Sequence, residues 1–125
     1  MGVAYRTIKV EKGPGGWGGP LVLTPKPGKD KISSVTGGGI HPLATKIAEM
    51  CGGEAVDGFR KPPKESEVLC VVIDCGGTAR VGVYPMKKIP TIDIYATSPS
   101  GPLANFITAE YFVSGTKENN ITVTG

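Results

Sequence analysis

The stretch Val68-Leu69-Cys70-Val71-Val72-Ile73-Asp74-Cys75-Gly76-Gly77-Thr78-Ala79-Arg80-Val81-Gly82-Val83-Tyr84-Pro85 constrains this chain more than any other. Its first part is rich in β-branched residues and reads as a strand. Gly76-Gly77 reads as a tight turn, and the residues running up to Pro85 as a second strand, so that the whole forms a strand-turn-strand hairpin. Cys75 sits where the first strand ends. Glycine N–H groups can curl around an anion, the Thr78 hydroxyl can donate, and the Arg80 guanidinium can pair with phosphate oxygens. A thiolate that holds or attacks a phosphoryl group requires this set of neighbours.

The bland alternative is that Cys75 is a structural thiol beside a glycine turn. Against it, the residue lies at a strand-to-turn junction, where side chains are reachable, and Asp74 marks the chain leaving the core. Arg80 and open N–H groups would favour the thiolate, whereas Asp74 would oppose it. The chemistry that fits is phosphoryl transfer through a phosphocysteine, with Gly76, Gly77, Thr78 and Arg80 as the phosphate cradle. Two other uses of such a loop fit less well. Tyrosine-phosphatase-type sites place five residues between cysteine and arginine, and Cys75 to Arg80 leaves four. Thioredoxin-type sites need Cys-x-x-Cys, which is absent.

The 125 residues suit one domain with a real core. With 19 glycines and 11 prolines, many turns and short strands are expected rather than a helical bundle. A net charge of +3 is too small to imply nucleic acid. Basic residues cluster at Lys26–Lys31, Arg60–Lys64 and Lys87–Lys88, a mildly basic face that would suit a phosphate-carrying or acidic partner. Three cysteines, an odd number, and no signal peptide argue for free thiols in a reducing compartment. Cys70 and Cys75 are five apart, which is not zinc-ligand spacing and puts them on opposite faces of a strand. His41 is the only histidine, so no Cys/His metal site and no cofactor are expected. No run reaches the roughly 20 apolar residues of a membrane span, and a soluble chain is expected.

In order, Tyr5–Glu11 alternates as an opening strand at a sheet edge, and Leu21–Thr24 and Lys31–Thr36 are further strands. Between the first two lies Gly15-Gly16-Trp17-Gly18-Gly19-Pro20, either a wide turn with Trp17 folded back as a lid on the core or a loop facing a ligand or partner. The clearest helix covers about 41–51, with Pro42 in its first turn, apolar Leu43, Ile47, Ala48 and Met50-Cys51, and Gly52-Gly53 ending it. His41 is read as a cap or solvent-facing group ahead of a catalytic one, and Cys51 as a small core residue. Ala55–Phe59 starts a short strand or turn, Arg60–Glu67 is a charged surface loop, and Ile89–Ala96 alternates as a strand. Leu103–Ile107 reads as a helical turn, and Tyr111–Val113 and Ile121–Val123 as strand pieces. These elements predict an α+β domain with a mostly antiparallel sheet of short strands and one clear helix.

The chain closely resembles the enzyme IIB domain of the glucitol/sorbitol-specific phosphotransferase system of bacteria. The resemblance is carried by Gly15-Gly16-Trp17-Gly18-Gly19-Pro20-Leu21, by Ile73-Asp74-Cys75-Gly76-Gly77-Thr78, and then in order by Tyr84-Pro85, Ile89-Pro90-Thr91-Ile92 and Ser100-Gly101-Pro102-Leu103-Ala104, spanning nearly the whole chain. It implies a relay. A phosphohistidine of enzyme IIA would load Cys75, and the phosphocysteine would pass the group to sorbitol held in membrane-embedded enzyme IIC. It also implies a place at the cytoplasmic face of the bacterial cell membrane. Family members continue into membrane-spanning segments, so this chain is expected to be the soluble cytoplasmic part. Trp17 and Lys87-Lys88 are candidate contacts for the partners, although a lysine pair is more often a solvated turn. A shorter, local similarity to glucose-type enzyme IIB domains favours a cysteine in a hairpin turn on an antiparallel sheet. Two other functions compete with the relay. One is a non-catalytic sensor or binding module for a sugar phosphate or signalling partner, and the other is a low-specificity thiol phosphatase.

Overall fold

Strand β5 (Val68–Ile73) is buried along its whole length, and the rest of the fold is laid around it. The computed structural model describes residues 5–36, 39–58, 60–61, 63–74, 89–95, 108 and 110–124. Beside β5 lie β3 (Lys31–Val35) and β6 (Thr91–Asp93). Beyond these are β4 (Glu54–Asp57) and β7 (Phe112–Ser114), giving a five-stranded sheet of order β4-β3-β5-β6-β7. Every pairing in it is parallel. A separate three-stranded antiparallel sheet has β1 (Ile8–Val10) between β2 (Leu21–Leu23) and β8 (Ile121–Val123).

The expectation of a mostly antiparallel sheet is therefore wrong for the main sheet. Parallel neighbours need a crossover rather than a tight turn, and α1 (Pro42–Cys51) supplies one between β3 and β4. The strand pairing also bears on the hairpin expected around Cys75. Over Val71–Ile73, β5 is bonded to β3 on one side and β6 on the other, so a returning strand finds no free edge there. Gly76–Pro85, the turn and second strand of that hairpin, lie outside the described residues, as do Lys87-Lys88 and the Leu103–Ile107 turn. Tyr5–Glu11 also differs from expectation: its strand, β1, is the middle of the small sheet, not an edge.

The helix forms where the local signals put it. His41 caps it, its Nδ1 accepting the Leu43 N–H at 3.0 Å, and Pro42 opens the first turn. Gly52, at φ 85°, ends it and donates its N–H to the Ala48 carbonyl at 2.8 Å. Leu43, Ala44, Ile47, Ala48 and Cys51 turn inward and join one core with Ile32, Cys70, Val72, Ile92 and Val113 of the main sheet and Ile8, Val10, Leu21, Leu23 and Ile121 of the small sheet. The helix and the small sheet thus share the same face of the parallel sheet. On the opposite face, Val35, Val68, Val71, Ile73, Ile89 and Phe112 form a second cluster.

Trp17 packs on that second cluster, its ring centre 6.2 Å from that of Phe112, so the lid reading of the glycine-tryptophan loop holds. The same loop runs along the outer edge of β7. Gly19 N–H donates to the Phe112 carbonyl at 2.9 Å, and Ser114 N–H to the Trp17 carbonyl at 2.9 Å. A side chain at Gly18, which has φ 86°, would overlap the Phe112 carbonyl, and one at Gly16 would overlap that of Ser114. The glycines are there because backbone passes against backbone, and the passage covers an otherwise open sheet edge. Among the described residues the expected basic face is partly neutralised, Lys31 pairing with Glu54 and Arg60 with Asp57. No described helix is long and apolar enough to cross a membrane.

Candidate active site

Parallel strands all end on the same side, and that side is where loops converge. Val35 of β3, Ile73 of β5, Asp93 of β6 and Ser114 of β7 form one row of register partners at the carboxyl edge. Asp74 continues from Ile73 in the middle of this row, and Cys75 is the next residue. Cys75, Gly76, Gly77, Thr78 and Arg80 lie outside the described residues, so the structure places none of them. It does place the strand from which they leave, and that strand is the centre of the sheet.

The polar groups at this edge are held by its loops. Ser34, fully buried, accepts the His41 N–H at 3.0 Å, and Thr36 Oγ1 donates to the Gly39 carbonyl at 2.9 Å. Ser114 Oγ accepts the Trp17 N–H at 2.8 Å, and Thr116 Oγ1 donates to the Glu11 carbonyl at 3.1 Å. These bonds tie the α1 entry and the glycine-tryptophan loop to the edge. A cavity of about 300 Å³ opens there between His41–Leu43, Ile94 and Thr116–Glu118.

The N-terminus of α1 also lies at this edge, but it is not free to bind an anion. Pro42 has no N–H, Leu43 donates to His41 Nδ1, and Ala44 and Thr45 both donate to the His41 carbonyl. The Leu43 bond requires His41 Nδ1 to be without a proton, in keeping with a capping rather than a catalytic histidine. A phosphate cradle must therefore use other N–H groups.

Asp93 is the group that sequence reasoning missed. It is 0% exposed at the end of β6. Its Oδ1 accepts the Tyr95 N–H at 3.1 Å, and among the described residues its Oδ2 has no hydrogen-bond partner. Burial pushes its carboxyl up to about 7. The Tyr95 N–H acts in the opposite sense, and the negative charge of Asp74 raises it further. A signal was present in Thr91-Ile92-Asp93-Ile94. In a half-exposed antiparallel strand an alternating Asp faces water, but a central parallel strand is covered on both faces and its Asp cannot. The other two cysteines are core residues. Cys51 and Cys70 are both buried, and burial raises both thiols, Cys70 the more strongly.

A parallel sheet whose central strand ends at an edge where loops converge is the frame of a group-transfer or ligand-binding domain. The chain belongs to the family described as sorbitol phosphotransferase enzyme II N-terminus, whose profile matches residues 7–125. It is also 47% identical over 120 residues to a Clostridium beijerinckii protein named as the glucitol/sorbitol-specific EIIB component of a phosphotransferase system. That similarity covers 95% of this chain and 36% of the relative, so the chain spans about a third of the relative's length. No solved structure matches.

Proposed function

We propose that this chain is the phosphoryl-transfer domain of a sugar-alcohol phosphotransferase system, one domain over residues 1–125 working at the cytoplasmic face of the bacterial cell membrane. Cys75 accepts a phosphoryl group from a phosphohistidine of enzyme IIA and passes it to sorbitol held by the membrane-embedded enzyme IIC during uptake. The observation that carries this reading is that, in a chain of this family, Cys75 follows by two residues the end of the central parallel strand. β5, bonded on both sides over Val71–Ile73, fixes the strand end that precedes Cys75 in the chain.

In the first step the sulfur attacks phosphorus, an S–P bond forms, and the P–N bond to the donor imidazole breaks. In the second the S–P bond breaks as a sorbitol oxygen bonds phosphorus. The N–H groups of Gly76 and Gly77, the Thr78 hydroxyl and the Arg80 guanidinium serve as donors to the transferring oxygens. Both partners must reach the carboxyl edge. Ile40 and Tyr95, in the loops that follow β3 and β6, are 44% and 58% exposed and leave apolar surface for docking there.

The test is intact mass and peptide mapping after incubation with phosphoenolpyruvate, the general phosphotransferase proteins and the cognate enzyme IIA. The expected result is one phosphate on the peptide holding Cys75, absent from Cys75→Ser and absent from His41. No phosphate, with the donor shown to be phosphorylated, would replace the relay with a non-catalytic sugar-phosphate binding module.

A further inference from the structure

The cavity at the carboxyl edge is not used by the relay, and every residue that lines it is described. Its volume of about 300 Å³ lies at the small end of the range for small-molecule sites, about 300–1,000 Å³. Pro42, Leu43 and Ile94 give it an apolar side, and His41, Lys117 and Glu118 give it a polar one. The hydroxyl of Thr116, which completes the lining, donates to the Glu11 carbonyl at 3.1 Å. The backbone around the polar groups is fixed. His41 N–H donates to Ser34 Oγ at 3.0 Å, and Lys117 N–H donates to Asn120 Oδ1 at 2.9 Å. Walls held in this way need little ordering when a ligand enters.

The polar side has capacity left over. His41 Nδ1 accepts the Leu43 N–H, so the proton of the neutral ring is on Nε2. That N–H has no acceptor among the described residues. Lys117 and Glu118 have no ion-pair partner among them either. A donor, a cation and a carboxylate therefore meet beside one apolar surface. The cation and the N–H suit a phosphate group. Glu118 repels a bare anion but accepts hydrogen bonds from hydroxyls. The apolar side suits the carbon–hydrogen faces of a short chain or ring. A small phosphate ester that carries hydroxyl groups uses all of these features.

We infer that this cavity is a binding site for a small polyhydroxylated phosphate monoester, with the phosphate on Lys117 and His41 and the hydroxyls on Glu118. The ligand class rests on the phosphotransfer reading, in which a sugar-alcohol phosphate is the product. The site itself does not include Cys75. Its walls come from the start of α1, from Ile94 after β6 and from the turn after β7.

The test is isothermal titration of the unphosphorylated 125-residue chain with sorbitol 6-phosphate, sorbitol and inorganic phosphate, each up to about 10 mM. Sorbitol 6-phosphate should bind saturably and at least about fivefold more tightly than either of the others. Lys117→Met changes an exposed side chain, and His41→Asn keeps a good helix cap. Each should weaken sorbitol 6-phosphate at least about fivefold without changing thermal unfolding. Glu118→Gln should narrow the preference over inorganic phosphate, and Cys75→Ser should bind as the parent does. The site is overturned by absence of saturation, by equal affinity for inorganic phosphate, or by unchanged affinity in both Lys117→Met and His41→Asn. Affinity lost in Cys75→Ser but kept in Lys117→Met moves the ligand to the transfer centre and overturns it as well. Failure of Cys75 to be phosphorylated strikes the relay alone, because the titration needs no phosphoryl donor.

Discussion

Replacing Asp93 by Asn probes the buried carboxyl without any phosphoryl donor, through the pH dependence of stability. The Asn oxygen can still accept the Tyr95 N–H, and the side chain has nearly the same volume, but it has no charge to strip of water. In the folded chain the carboxyl titrates at about 7. In the unfolded chain it titrates near the ordinary value of about 4. Below about pH 4 both states are protonated and burial carries no ionisation penalty. From there to about pH 7 the unfolded chain ionises while the folded chain stays protonated, so stability falls as pH rises and the full loss is reached above the folded value. About three pH units at about 1.4 kcal/mol each make this about 4 kcal/mol. A domain of this size has a total of about 5–15 kcal/mol, so the effect is large. Asp93→Asn lacks the term. Its buried amide N–H₂ adds a roughly constant offset of about 1–3 kcal/mol, which does not vary with pH. Urea unfolding of both proteins at intervals from pH 4.5 to 8 should show the variant gaining on the parent steadily, by several kcal/mol over the range. A gap that stays constant with pH would refute the argument that this carboxyl is buried and protonated near neutrality.

The remaining predictions concern the lid face and the core thiols. Phe112→Ala removes a fully buried ring from under Trp17 and should cost about 3–5 kcal/mol in urea unfolding, with a change in Trp17 fluorescence in the folded state. Iodoacetamide at pH 8 should modify neither Cys51 nor Cys70 in the native chain, since both are fully buried with raised thiols, and should modify both once urea unfolds it.

Several elements were legible because their signals act over a few residues. Pro42 is pre-set for a first helical turn and lacks the N–H that a first turn cannot use, and Gly52 takes a left-handed conformation without strain. The helix therefore stands at Pro42–Cys51, inside the expected 41–51. The β-branched run Val68–Ile73 was read as a strand for the same reason, and Ile121–Val123 matches the expected piece residue for residue. The family was legible in its ordered blocks, and residues 7–125 match it.

Other features were not legible because they depend on partners far away in sequence. A period of two shows that successive side chains point to opposite faces, but it does not say whether the neighbouring strand is parallel. The alternation of five short strands therefore fits a parallel sheet as well as an antiparallel one, and a hairpin partner for Val68–Ile73 meets β3 and β6 on the two edges of Val71–Ile73. The glycines around Trp17 read as a loose turn, whereas two of them are needed because the backbone runs against the carbonyls of β7. The burial of Asp93 follows from a parallel sheet covered on both faces, which the alternation of Ile89–Ala96 does not reveal. Taken by itself, the sequence determined the elements whose torsional and capping preferences are local, and it singled out Cys75 as the candidate for the proposed chemistry. Only the tertiary structure decided that the thiol follows the end of a central parallel strand and that a buried carboxyl ends the strand beside it. Both facts are set by pairings between residues about twenty positions apart or more, which no local preference encodes.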